Sequence, residues 1–123
     1  MRLLVADDNE INLRVACAYL KALGIPQDSI STAVNGREAT ELCTQHNFDL
    51  VFMDIQMPEV DGLKAAKDIL QNHTHKPAIV AITANTSQEA EEEFIAAGMR
   101  MVIHKPVNKS AFRCALKLAE SEN

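Results

Sequence analysis

Short apolar runs of strand length alternate five times with amphipathic segments of helical length along these 123 residues. That order calls for repeated βα units, because parallel strands can be joined only through a crossover, usually a helix. The runs at 2–6, 29–34, 49–53, 78–82 and 101–104 read as strands. The first, third and fourth are nearly all apolar, as expected of central strands covered on both faces. The second, Ser29-Ile30-Ser31-Thr32-Ala33-Val34, alternates polar with apolar residues and is placed at an edge of the sheet.

The segments between carry helix punctuation. Asn35 with Glu38, and Thr86 with Glu89, each put a capping acceptor and an acid where orphan amides and the helix dipole favour them. Asn108 opens the last helix in the same way, and Gly24 and Gly98 stand where the first and fourth helices should end. The faces expected to turn inward are Ile11, Val15, Ala18 and Ala22; Ala39, Leu42 and Cys43; Leu63, Ala66 and Ile69; Ala90, Phe94 and Ala97; Phe112, Ala115, Leu116 and Ala119. The expected fold class is α/β, a flavodoxin-like (βα)5 unit with a five-stranded parallel sheet of order 2-1-3-4-5 and helices on both faces.

Size and composition bound the rest. One domain, 1–123, suits this length, and 47% hydrophobic residues can fill one core. The net charge of -5 has no basic stretch to set against it, so direct nucleic-acid binding is not expected. No apolar run approaches membrane-spanning length and no leader precedes the first strand, which points to the cytoplasm and to no membrane contact. Cys17, Cys43 and Cys114 are odd in number and lie in apolar helical patterns, so they read as buried reduced thiols.

In such a sheet the carboxyl ends of the strands share one edge, and the residues just beyond them converge there. Asp7 and Asp8 come directly after the first strand, Asp54 after the third, Thr83 after the fourth and Lys105 after the fifth. Three carboxylates in one crevice repel unless a cation sits among them, and an oxygen-only ligand set suits Mg2+ or Mn2+. A metal, the Lys105 ammonium and the Thr83 hydroxyl around Asp54 could stabilise a phosphoryl group passing onto that carboxylate, which makes Asp54 the nucleophile.

Four stretches, Val5-Ala6-Asp7-Asp8-Asn9-Glu10-Ile11-Asn12, Met53-Asp54-Ile55-Gln56-Met57-Pro58-Glu59-Val60-Asp61-Gly62, Ile82-Thr83-Ala84-Asn85 and Lys105-Pro106, each stand after the right strand in the right order. Through them the chain resembles a response-regulator receiver domain of two-component signalling over essentially its whole length. The resemblance implies phosphorylation of Asp54 by a histidine kinase or a histidine phosphotransfer protein. It implies a metal held by Asp8, Asp54 and the Gln56 carbonyl, with Asp7 assisting through water, and Lys105 on the phosphoryl oxygens. Thr83 would move toward the attached group and remodel the fourth helix, fifth strand and fifth helix, where a second copy or an output partner would dock. The domain would promote its own phosphorylation and dephosphorylation rather than turn over a substrate. The resemblance also implies a cis Lys105-Pro106 bond. Gln56, Ala84 and Asn85 are placed to tune hydrolysis. Val102 departs from the pattern: an aromatic switch residue is usual there, and valine has no ring to rotate.

Other features carry less. His46, His73, His75 and His104 lack metal-ligand spacing and read as surface or satisfied residues, and Met53 and Met57 as packing. Glu89, Glu91, Glu92 and Glu93 read as a solvated face, and Lys109, Arg113 and Lys117 as a basic stripe on the last helix. Asp7-Asp8 could merely cap the first helix. A receiver-like domain that signals by binding alone is the alternative reading, and a cofactor-binding flavodoxin is disfavoured because Asp7 and Asp8 would repel its phosphate. The stretch Asp8-Asn9-Glu10-Ile11-Asn12 leans toward the receiver of a hybrid histidine kinase, while Met1 beside the first strand suits a free-standing regulator.

Overall fold

The computed structural model describes residues 1–57 and 60–122, apart from the side chain of Glu122. In chain order the elements are β1 (Leu3–Ala6), α1 (Glu10–Ala22), a 3-10 turn (Gln27–Ser29), β2 (Ile30–Ala33), α2 (Gly36–Gln45), β3 (Leu50–Asp54), α3 (Gly62–Asn72), β4 (Ala78–Thr83), α4 (Gln88–Ala96), β5 (Met101–His104) and α5 (Lys109–Glu122). The strands form one sheet of order β2-β1-β3-β4-β5, every pair parallel, so the expected fold class holds and β2 lies at an edge.

Strand alternation divides the core into two layers. Leu4, Ala6, Val51, Met53, Ile79 and Ala81 pack with Ala39 of α2, Ile69 of α3 and Phe94 of α4. Leu3, Val5, Leu50, Phe52, Val80 and Ile82 face the other way, onto Leu13, Ala16 and Leu20 of α1 and Phe112 and Ala115 of α5. Both faces of β1, β3 and β4 are therefore covered, which is why those runs show so little polarity.

Most helix ends fall where their punctuation put them. Asn35 accepts from the Glu38 amide at 2.7 Å, Asn108 from the Ala111 amide at 2.8 Å. Gly24 and Gly98 sit at φ 97 and 105, the left-handed region past a helix end. Helix α4 differs: its cap is Ser87, whose hydroxyl accepts from Ala90 N at 3.2 Å, rather than Thr86. Asn85 decides this by taking the Ser87 amide at 2.9 Å and turning the chain one residue later.

The inward face of α1 is the clearest correction. Ile11 is 70% exposed, Val15, Ala18 and Ala22 also face solvent, and the buried residues are Leu13, Ala16 and Leu20. Two apolar stripes with helical spacing share this helix, and only the position of the sheet and α5 selects one. Of the cysteines, Cys43 is buried with its thiol pushed up to about 11 by burial, Cys17 is partly exposed, and Cys114 lies on the outer face of α5 rather than in the core. His75 is satisfied by the Phe48 carbonyl at 2.9 Å, whereas His73 Nε2 is buried without a hydrogen-bond partner among the described residues. No helix among the described residues is long and apolar enough to cross a membrane.

Candidate functional site

Asp54 is the last residue of β3 and only 2% exposed. It is buried because β3 lies between β1 and β4, while the chain has not yet turned away from the sheet edge. Its Oδ1 accepts the Gln56 amide at 3.2 Å and the Lys105 Nζ at 3.3 Å. On the β1 side, Asp7 is buried, its amide bonded to the Ala33 carbonyl at 3.0 Å and its Oδ1 to the Asn9 amide at 2.9 Å. Asp8 beside it is exposed. One oxygen each of Asp7, Asp8 and Asp54 can be chosen so that all lie within 4.8 Å of one another.

Neither acid of the Asp7-Asp8 pair caps α1. Asn9 does, accepting from the Ile11 and Asn12 amides at 2.8 and 3.1 Å, which leaves both carboxylates for the crevice. On the far side, Lys105 comes after β5, its backbone amide held by the Thr83 carbonyl at 2.8 Å, and the Lys105–Pro106 bond is cis. Thr83 ends β4, 1% exposed, its Oγ1 accepting the Asn85 amide at 3.0 Å.

The electrostatics are unbalanced. Burial, and next the charge of Asp7, push the Asp54 carboxyl up to about 6 even though Lys105 and the Gln56 amide pull the other way. One ammonium is too little for three carboxylates. A hard divalent cation would supply the missing charge, and carboxylate oxygens on a partly open rim are the donors such an ion takes, so the residues present fit it.

The other residues singled out by sequence divide between the rim of this crevice and the surrounding packing. Gln56, Ala84 and Asn85 are exposed at its rim. Val102 pairs in register with Ala81 and packs, partly buried, against the core layer that holds Phe94 of α4. Met57 is buried as packing, and Pro58 and Glu59 lie outside the described residues. His104 approaches Glu91 of α4 at 4.0 Å.

Three residues do more than the motif stretches that contain them state. Asn9 holds Asp7 and caps α1, and its signal was there in the strong cap preference of asparagine. Asp61 caps α3 through the Lys64 amide at 2.8 Å. At Gly62 a Cβ would run into the backbone of Asp54 and Ile55, so the α3 start can close under Asp54 only with glycine. No local pattern signals that last contact, because it depends on two elements meeting.

Residues 3–117 match the family profile described as the response regulator receiver domain. "Hybrid signal transduction histidine kinase K" of Dictyostelium discoideum is 37% identical over 97% of the chain, which spans only 10% of that kinase. Among solved structures, the receiver domain of sensor histidine kinase PA1611 from Pseudomonas aeruginosa, crystallised with magnesium in its active-site cleft, superposes with a TM-score of 0.82 at 28% identity, covering 95% of this chain and 94% of that one. The Saccharomyces cerevisiae receiver domain of Ssk1, in complex with the histidine phosphotransfer protein Ypd1, gives 0.80 at 31% identity over 92% of this chain and 83% of that one.

Proposed function

The chain belongs to the response regulator receiver domain family, and on that premise we propose that it accepts a phosphoryl group on Asp54 from a phosphohistidine and so switches a protein-interaction surface. The observation that carries this is the meeting of Lys105 with Asp54 at 3.3 Å beside the Asp7 and Asp8 carboxylates. An Asp54 oxygen forms the new P–O bond as the P–N bond of the donor breaks, and the donor imidazole leaves neutral after taking a proton. Asp8, Asp54 and the Gln56 carbonyl would hold Mg2+ or Mn2+, with Asp7 assisting through water. The ion supplies charge stabilisation for the transferred oxygens. Lys105 neutralises a further oxygen from the opposite side, and Thr83 donates its hydroxyl once the group is attached. Gln56, Ala84 and Asn85 at the rim set how readily water reaches the acyl phosphate.

The donor is a histidine kinase or a histidine phosphotransfer protein. Val15 borders a hollow shared with Asp7 and Lys105, and Ile11 stands 70% exposed one turn away on α1, an apolar platform beside the reacting group. A donor helix seated there would bring its phosphohistidine to Asp54. The output surface is α4, β5 and α5, where acidic Glu91 and Glu92 and basic Lys109, Arg113 and Lys117 are exposed, available to a second copy or to an output partner. With 10% of the related kinase covered, a receiver within a larger hybrid kinase is the context these similarities support.

Incubation with a small phosphodonor and magnesium should label the protein, and Asp54→Asn should abolish labelling. Equal labelling of that variant would end the proposal. Amide resonances of Asp54, Thr83 and Lys105 that ignore magnesium and beryllofluoride would favour a domain that signals by binding alone.

A further inference from the structure

Thr83 is tied to helix α4 by a relay of three hydrogen bonds that run in one direction along the chain. Thr83 Oγ1 accepts the Asn85 amide at 3.0 Å, Asn85 Oδ1 accepts the Ser87 amide at 2.9 Å, and Ser87 Oγ accepts the Ala90 amide at 3.2 Å. Packing holds this segment only lightly: residues 84–89 are all exposed, Ala90 in the first turn of α4 is half-buried against the core, and the fully buried residue of the helix is Phe94, in its last turns. The start of α4 therefore depends mainly on polar bonds, with light packing from Ala90, which makes it easy to reset. Across the sheet edge, Val102 on β5 has no ring to carry a signal to the same helix.

We infer that the Asn85 side chain is the positioning residue through which the state of Thr83 reaches α4. The inference rests on the phosphoryl-acceptor reading above. Oγ1 and the methyl group of Thr83 share one χ1, so the hydroxyl turns between discrete rotamers rather than by degrees. With no phosphoryl group its oxygen holds the Asn85 amide; turned toward an anion on Asp54 it lets that amide go. Asn85 is then freed to shift, Ser87 loses the acceptor that sets its amide, and the cap of α4 is unlocked. The alternative cap is already in the sequence, since Thr86 lies one residue earlier with Glu89 three beyond it. Phosphorylation would thus move the cap by one residue, rotating α4 and the acidic face that it carries.

The test is the amide response to magnesium and beryllofluoride of the whole chain in three forms: wild type, Asn85→Ala, and Asn85→Asp, which keeps an acceptor oxygen at the same place. In the wild type the Ser87, Ala90 and Glu91 amides should move together with those of Asp54 and Lys105. In Asn85→Ala the Asp54 and Lys105 amides should still move, while the α4 shifts fall by about half or more, the sign of a broken coupling. Asn85→Asp should restore them. An undiminished α4 response in Asn85→Ala overturns the relay alone. Asp54 and Lys105 amides that stay put in the wild type overturn the phosphoryl-acceptor reading and the relay with it.

Discussion

Lys105 Nζ lies 3.3 Å from Asp54 Oδ1 although 51 residues separate the two in the chain. They come from the ends of β5 and β3, the two neighbours of β4, whose own carboxyl end carries Thr83. This pair is buried on the acid's side and open on the lysine's, at 2% and 27% side-chain exposure. The lysine can therefore follow a group that changes charge while the carboxylate stays fixed.

Asp54 lowers stability when ionised and unliganded. Its folded pKa of about 6 lies above the ordinary 3.8 because burial and Asp7 disfavour the charge, so the folded state holds the proton more tightly than the unfolded chain. Stability should fall as pH rises between those two values, by an amount on the order of 1–3 kcal/mol. Urea unfolding in chelator should find Asp54→Asn more stable than wild type at neutral pH, with the gap closing near pH 4. Saturating magnesium should narrow the neutral-pH gap from the other direction. A gap independent of pH would contradict the assignment of the burden to this carboxylate.

Removing the ammonium should act on the same group. In Lys105→Ala the pull that lowers the Asp54 pKa is gone, so a carboxyl titration followed by NMR should move to higher pH than in wild type. The labelling rate with a small phosphodonor should drop roughly 10²-fold or more, the usual consequence of losing a preorganised charge. An unchanged titration would mean that the 3.3 Å contact is not kept in solution.

Gly62→Ala should be costly far beyond a helix-propensity change. Alanine favours helices over glycine by about 1 kcal/mol, so propensity alone predicts stabilisation. The Cβ would instead collide with the backbone of Asp54 and Ile55, which has no flexible end to give way. Thermal unfolding should show a loss of roughly 1–3 kcal/mol and magnesium affinity should weaken with it. A rise in Tm would show that α3 starts farther from Asp54.

Ile11→Asp separates docking from chemistry. Ile11 is 70% exposed, so the substitution should change stability by no more than about 0.5 kcal/mol. Labelling by a small phosphodonor should persist, whereas transfer from a phosphorylated histidine phosphotransfer protein should slow by roughly tenfold or more, as when a charge enters an apolar contact. Equal slowing with both donors would place the effect on the site rather than on the platform.

The sequence alone determined the alternation of strands with helices and the carriers of the site chemistry. Runs such as Leu50-Val51-Phe52-Met53 state their burial directly, and parallel connectivity then obliges Asp54, Thr83 and Lys105 to share an edge. Only the tertiary structure decided the relations between elements. Leu13, Ala16 and Leu20, and not Ile11 and Val15, face the core because α5 and the sheet lie on that side; both stripes repeat with the same helical period. Gly62 is obligatory because Asp54 passes beneath it, and Ser87 rather than Thr86 caps α4 because Asn85 turns toward it. Periodicity is a property of one element and can be read along the chain, whereas contact depends on where the partner element lies, which no local pattern encodes.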